Sequence, residues 1–381
     1  MEPETRGDRR ASPGAAPPEG FVPLALARCG EDAYARSAAQ LRHGELWWYV
    51  GGLVRRGTTR PFRDSAGRWW YAIKPGFIWP VNFFANLPPD AASLGWRPLL
   101  GAQWPVEPQH ADSRVWMNVA RDIAGYDLSR VDADKRRAVR KGLRGLSIAP
   151  GNPADPQFAA EARDVWNSHV ERTGWNRRYE AAEFTSSWRE LAQMPGTTVL
   201  AARDRISGVL CAWLIVRVID DVAYMDTLAS HTERLDNRPN DAIVYAAVAS
   251  AAAAGVRHAH YSLRSSVTSL EAFKRSLGFE PIAFPTRLAL RWMVRRMLAW
   301  KKPHLLRRLE GDENWHVPQS GGAAPYTGAV PSAGDARGGA APPTGDPRGA
   351  TAPSSADVPR GAAPSTSATD VERPASPDSS R

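Results

Sequence analysis

Cysteine is nearly missing from this chain of 381 residues: only Cys29 and Cys211 occur. Neither has a metal-ligand neighbour, and Cys211 lies inside an apolar run. Two distant cysteines make no disulfide framework, which fits a reducing cytoplasm. Long hydrophobic runs are missing too. No stretch of about 18 apolar residues occurs, so no transmembrane helix is expected. The first residues hold no apolar core of a leader, so no signal peptide is expected. The chain has no P-loop, no G-x-G-x-x-G after a strand, no H-E-x-x-H and no G-x-S-x-G. His258 and His260 lack a Cys or carboxylate partner at metal spacing, so no metal is expected.

Apolar residues are scarce at both ends. Residues 1–20 are Pro, Gly, Ala and charge, and residues 318–381 are mostly Ala, Pro, Gly, Ser and Thr. Such segments bury too little apolar surface to offset chain entropy, so both are expected to be disordered. Gly334-Asp-Ala-Arg, Gly345-Asp-Pro-Arg and Asp357-Val-Pro-Arg recur in the second, which reads as a drifting low-complexity tail or as a tether. All 15 Trp lie between Trp47 and Trp315, which places the folded body at about residues 21–317. Each end is near −1, so the total of +9 leaves about +11 on the body. An excess of that size attracts phosphate-bearing partners: CoA, a nucleotide-sugar, tRNA or an anionic lipid surface.

Between Phe21 and Gly125 the chain is Trp-rich and poor in helix patterns. Leu46–Val50, Trp69–Ile73 and Phe77–Val81 read as strands, with a hairpin turn at Arg63–Arg68. Leu128–Arg144 reads as a basic helix, capped by Ser129 or Asp132 and ended by Gly142 or Gly145. Its cations Lys135, Arg136, Arg137, Arg140, Lys141 and Arg144 form either a solvated face or a phosphate-contacting one. Pro156–His169 and Tyr179–Met194 have helical apolar spacing, and Arg172–Arg178 reads as a polar loop between them. Thr197–Arg203 and Val209–Val218 pair across the turn Asp204–Gly208, and Val222–Leu228 follows. A helix runs from Pro239 to Gly255 with Ile243, Val244, Ala247, Val248 and Ala251 inward. Then come strand His258–Leu263, helix Ser269–Leu277, strand Pro281–Leu290 and a basic amphipathic segment, Trp292–Leu309, broken by Pro303. That last segment either packs on the sheet or rests on an anionic membrane.

Phe158 to Leu290 resembles a GNAT-type acyltransferase domain, whose order is helix, helix, hairpin, strand, helix, strand, helix, strand. Three motifs resemble its Fem-type aminoacyltransferase and cellulose-biosynthesis-type acetyltransferase branch. They are the basic Asp134–Gly142, the helix start Arg238–Tyr245, and the closing Leu270-Glu-Ala-Phe-Lys-Arg-Ser-Leu-Gly-Phe279. The resemblance implies an α/β fold of the α+β type with a mixed sheet, as two GNAT-like units in tandem. The segments would be 1–20 disordered, 21–127 a first, degenerate unit, 128–149 a basic linking helix, 150–291 the second unit, 292–317 a basic amphipathic helix and 318–381 a disordered tail. No internal repeat is visible, so the first unit rests on the resemblance alone.

The chain departs from the family in one place. GNAT enzymes hold the acyl-CoA pyrophosphate with Q/R-x-x-G-x-G/A, whereas His231–Asn240 contains no glycine. The start of the helix at Pro239 still offers its positive end, with Arg234, Arg238 and Asn240 beside it. Arg136, Arg137, Arg140 and Lys141 join them as donor-phosphate candidates. The Fem-type branch does without the glycine loop where its donor is aminoacyl-tRNA. Both co-substrates, acyl-CoA (acetyl-CoA) and aminoacyl-tRNA, therefore stay open, with no resident cofactor. The chemistry needs a base, an oxyanion donor and a proton for the leaving group. Asp226 stands where many GNAT enzymes place a carboxylate base, with His231 and Asp236 near the same strand end. Tyr261 can donate a proton, and Lys274 matches the closing motif. Each has a plainer role: a loop cap, a core tyrosine, a solvated lysine. The expected acceptor is a small-molecule or lipid-linked sugar with an amine, in a cytoplasmic enzyme that touches tRNA or the inner membrane face. The rival reading is a non-catalytic GNAT-like module that binds an anionic partner.

Overall fold

The computed structural model describes residues 21–40, 61–74, 76–92, 100–174 and 178–313. The expected strand at Leu46–Val50 and both end segments lie outside these residues. The elements in chain order are β1 (Arg28–Cys29), α1 (Glu31–Gln40), β2 (Phe62–Arg63), β3 (Trp69–Lys74), β4 (Phe77–Pro80), β5 (Gly101–Pro105) and β6 (Ser113–Ala120). There follow α2 (Ala133–Gly145), β7 (Leu146–Gly151), α3 (Pro156–Thr173), α4 (Ala181–Ala192), β8 (Thr197–Asp204), β9 (Leu210–Ile219) and β10 (Val222–Ser230). The chain continues with α5 (Pro239–Ala253), β11 (His258–Leu263), α6 (Thr268–Ser276), β12 (Glu280–Leu290), α7 (Trp292–Lys301) and α8 (Pro303–Glu310).

The strands form one mixed sheet in the order β2-β3-β4-β5-β12-β6-β11-β10-β9-β8-β7, with β1 beside β9. Three pairs are parallel, namely β1–β9, β4–β5 and β10–β11, and the rest are antiparallel. β6, which precedes α2 in the chain, lies between β11 and β12 and is antiparallel to both. The boundary read at residues 127/128 therefore falls within a continuous sheet.

One face of the sheet is covered by α2, α5 and α6, whose core joins Leu214, Val216 and Val218 to Ile243, Ala247 and Phe279. On the other face α3 and α4 bury Trp166 and Trp188 against Trp213 and Ile215, and α1 packs Tyr34 near Tyr71 and Tyr224. α5 is buried on nearly every side, beyond the stripe its sequence shows. A helix apolar all round must be enclosed. The extra cover comes from α2 and from the N-terminal segment, where Phe21 meets Tyr245 and Leu24 N–H donates to Ser250 Oγ at 2.9 Å.

Gly145 is the one of the two candidate stops that ends α2, and Gly142 lies inside the helix. It is the contact point with α5: a Cβ there would sit 2.7 Å from Ala242 Cβ and 2.8 Å from the Arg238 carbonyl. The segment after β12 is two helices rather than one, because Pro303 lacks an N–H and opens α8 at its first position. Among the described residues no helix is long and apolar enough to cross a membrane.

Candidate functional site

β10 and β11 pair in parallel from Val222–His258 to Tyr224–His260. β10 then runs on to Ser230 and β11 to Leu263, with no further pairing between them. Each strand is irregular just past the last shared pair. The register of β10 on β9 shifts between Met225 and Leu228, and that of β11 on β6 between His260 and Leu263. Ser262 in the second irregularity has φ 65°. A bulge bends a strand and re-aims its side chains. Two such bends at one level part the strands. The cleft lies between the carboxyl ends of parallel strands, where open α/β sheets place their ligands.

Asp226 sits in the first bulge, and its side chain is buried. Arg217 on β9 donates from Nη1 to Asp226 Oδ2. Oδ1 has no hydrogen-bond partner among the described residues. Burial pushes the carboxyl up to about 6, against the lowering pull of Arg217. Val216 and Val218 face α5, so Arg217 and Asp226 project from the opposite face of the sheet.

Tyr261 lies on the α5–α6 face, edge-on to Phe279 with centroids 5.5 Å apart, and burial holds its hydroxyl well above the usual tyrosine range. Lys274 Nζ is 5.8 Å from the Tyr261 ring. Lys274 is not a solvated helix residue: it is 1% exposed. Its ammonium donates to Glu271 Oε1 at 2.9 Å, to Ser262 Oγ at 2.9 Å and to the Leu263 carbonyl at 3.4 Å. Burial lowers its pKa, and Glu271 opposes that shift. Glu271 Oε1 also accepts from Asn118 Nδ2 at 3.2 Å and from Ser265 N–H at 2.9 Å. The pair thus ties α6 to the bent end of β11 and to β6. Tyr261 and Lys274 are brought together, while Asp226 approaches the cleft from the other face.

The donor-phosphate candidates divide into two groups. α2 crosses the first turn of α5, where Lys135 pairs with Asp241 at 2.7 Å and lies 4.8 Å over the Phe273 ring. Arg136 turns back on its own loop, donating to the carbonyls of Val131 at 2.7 Å and Ser129 at 3.2 Å. Arg137, Arg140 and Lys141 are exposed, with no side-chain partner among the described residues. Arg234 lies on the 3-10 turn Thr232–Asn237 that leads into α5. Arg238 opens α5 with φ 55°, a left-handed conformation that favours glycine. Asn240 is in the first turn, and its Oδ1 is buried without a hydrogen-bond partner among the described residues. Arg234 and Arg238 thus lie on the turn between the carboxyl end of β10 and the positive end of α5, an arrangement suited to a phosphate.

Sequence reasoning missed the residues on the α3 side. Arg172 Nη2 lies 3.1 Å from His169 Nδ1 and 3.2 Å from Ser230 Oγ at the end of β10. Burial, reinforced by Arg172, pushes His169 down to about 4. The imidazole is neutral at pH 7; with Nδ1 accepting from Arg172, its proton sits on Nε2. Next along the chain from Ser230, His231 Nδ1 is buried with no hydrogen-bond partner among the described residues. The available signal was a His and an Arg three apart on the last turn of an amphipathic helix. Among the described residues no group of three His, Cys, Asp or Glu is placed to hold a metal.

No family model matches the chain, and no curated protein matches it. Solved structures resemble it at low identity. FemX covers 72% of this chain and 99% of its own, at 11% identity and TM-score 0.48. L-PGS from Bacillus licheniformis covers 66% and 89%, at 12% identity and TM-score 0.43. A tandem GNAT protein from the clavulanic acid biosynthesis pathway covers 71% and 97%, at 13% identity and TM-score 0.37. The chain itself has a mixed α/β fold, in which two helices, a hairpin and alternating strands and helices lead to the split β10–β11 pair.

Proposed function

We propose that this protein is an N-acyltransferase. It moves an acetyl or aminoacyl group from acyl-CoA or aminoacyl-tRNA to an amine of a cell-envelope or polysaccharide precursor. The observation that carries the reading is the parting of β10 from β11 beyond Tyr224–His260. An extended thioester or ester fits between strands whose edges no longer pair. Donor phosphates then lie by Arg137, Arg140, Lys141, Arg234 and Arg238, at the start of α5.

The acceptor amine attacks the donor carbonyl carbon, and the C–S or C–O bond to the donor breaks as the new C–N bond keeps the acyl group. Asp226 takes the amine proton through Oδ1, while Arg217 fixes the carboxylate by Oδ2. A pKa near 6 suits a base at neutral pH. Tyr261, held neutral by burial, supplies the proton to the leaving thiolate or alkoxide from the opposite face. Lys274 acts as a positioning residue that holds the bent end of β11 through Ser262 and Leu263.

The test is a thermal-shift screen against acetyl-CoA, longer acyl-CoAs, charged and uncharged tRNA and UDP-sugars, followed by transfer to amino-sugar acceptors. A ligand at a hundredfold its Kd stabilises the native state by about 2.7 kcal/mol. Arg140→Gln with Lys141→Gln should weaken donor binding, and Asp226→Asn should abolish transfer while leaving donor binding in place. No shift with any donor, together with no transfer, sinks the proposal. One observation favours a non-catalytic binding module instead: α2 packs on the Asn237 and Arg238 carbonyls, over the loop that lacks glycine. Salt-sensitive binding without turnover would support that reading.

A further inference from the structure

The final helices present their larger apolar residues to solvent. α7 packs inward through Val294 and Leu298, which are half-buried. Trp292, Met293, Met297 and Trp300 point outward, at 70%, 60%, 49% and 80% exposure. At 3.6 residues per turn these four occupy one stripe of the helix, with Arg296 between the two tryptophans. Single exposed apolar residues are ordinary, but a contiguous pair of Trp and pair of Met on one short helix is not.

The charge around the stripe has one sign. The stretch from Arg291 to Glu310 holds Arg291, Arg295, Arg296, Lys301, Lys302, Arg307 and Arg308, and Glu310 is its single acid. Arg295 pairs with Glu310 at 2.8 Å and fixes α7 on α8, and Lys301 lies 5.2 Å over the Trp300 ring. α8 is anchored in turn: the Leu309 carbonyl accepts from Gln103 Nε2 at 2.9 Å, and the Gly311 carbonyl from Trp116 Nε1 at 3.0 Å. The stripe is therefore carried on a fixed support.

We infer that Trp292, Met293, Met297 and Trp300 form a docking surface for an anionic lipid bilayer. Tryptophan prefers the headgroup level, where its ring is apolar and its N–H stays wet. The two methionines enter the acyl boundary, and the flanking cations meet lipid phosphates, with Arg296 extending past the rings. Nucleic acid fits less well, because bases stack on the tryptophans but gain nothing from Met293 and Met297. The inference stands apart from the acyl-transfer reading, since it uses no residue of the cleft.

The experiment is co-sedimentation of the full chain with phosphatidylcholine vesicles and with phosphatidylcholine–phosphatidylglycerol vesicles, at low and moderate salt. The expected result is salt-sensitive binding to the anionic vesicles alone. Trp292→Ala with Trp300→Ala should lower partitioning by about a hundredfold, because binding scales with buried apolar area. Lys301→Gln with Lys302→Gln should lower it roughly fivefold per charge. Both pairs are exposed, so circular dichroism and the melting temperature should not move. Transfer to a soluble acceptor should stay unchanged in both variants, which separates failure here from failure of the proposed activity. Vesicle binding that the tryptophan pair leaves intact overturns the inference. So does binding of single-stranded RNA, rather than vesicles, that the same variant abolishes. A dimer in light scattering that the variant converts to monomer also overturns it, assigning the stripe to a second copy of the chain.

Discussion

Replacing Lys274 by Met tests whether this buried cation supports the fold or serves only chemistry. The side chain is 1% exposed and its ammonium has three oxygen partners. Methionine nearly matches its length but removes the charge and all three donors. Glu271, 13% exposed at its side chain, would keep Asn118 and Ser265 as donors among the described residues. Removing one member of a buried ion pair costs about 3–5 kcal/mol, mostly because the other charge is left unpaired. Ser262 Oγ and the Leu263 carbonyl add a further ~1 kcal/mol if water does not replace the ammonium. Urea unfolding of Lys274→Met followed by circular dichroism should therefore show a loss of about 3–6 kcal/mol. Glu271→Gln should cost a similar amount, and the double variant less than the sum by at least ~2 kcal/mol, since the two sites share one interaction. A Lys274→Met loss below ~1 kcal/mol would refute the argument. If transfer vanished in that variant while stability held, Lys274 would belong to the reacting centre rather than to its support.

Two further outcomes follow from burial and close approach. His260 is neutral and pushed down to about 3, first by burial and then by Lys274. Its contribution is complete above the ordinary histidine value near 6.5 and is lost as pH falls towards 3. At pH 4.5 the loss amounts to about 2.7 kcal/mol relative to neutral pH. Asp226 and Glu31, raised by burial to about 6 and about 7, act with the opposite sign. The measurement is therefore the difference between wild type and His260→Gln in urea stability at pH 7 and pH 4.5, and equal pH dependence in both would contradict the assignment. Gly142→Ala gains up to ~1 kcal/mol of helix propensity but forces a Cβ against Ala242 and the Arg238 carbonyl. A net loss of about 1–2 kcal/mol in thermal or urea melts is expected. Gly145→Ala, with nothing within 4 Å, serves as a neutral control.

Local order was legible in the sequence because local signals carry it. Pro239 and Gly255 bracket α5, and the Asp204–Gly208 turn sets the β8–β9 hairpin, where Asp204 Oδ1 accepts from Ser207 N–H at 2.8 Å. What stayed hidden depends on distant partners. Nothing between Ser113 and Ala120 says that this strand lies between β11 and β12, because strand pairing across more than a hundred residues leaves no local mark. Arg217 was readable in principle. A lone Arg in the run Leu-Cys-Ala-Trp-Leu-Ile-Val-Arg-Val-Ile needs a buried acid, and Asp226 is the acid on the neighbouring strand. For Lys274 the closing motif gave the position, but burial and the link to Ser262 depend on the bend of β11.

The sheet order joins the two halves of the chain at the cleft. Asn118 on β6 donates to Glu271 and, at 3.3 Å, to the Leu263 carbonyl, the same carbonyl that Lys274 holds. β6 also buries Val115, Met117 and Val119, each worth about 1.5–3 kcal/mol when removed from water. One wall of the cleft is thus β10, anchored through Arg217 on β9. The other is β11, anchored through β6 and the Lys274–Glu271 pair. We propose on this basis that the N-terminal unit is a structural partner of the acyl-transfer site rather than an appended domain. Substitutions in β6 should then alter the cleft through β11, whereas substitutions in α3 or α4 should alter it through β10.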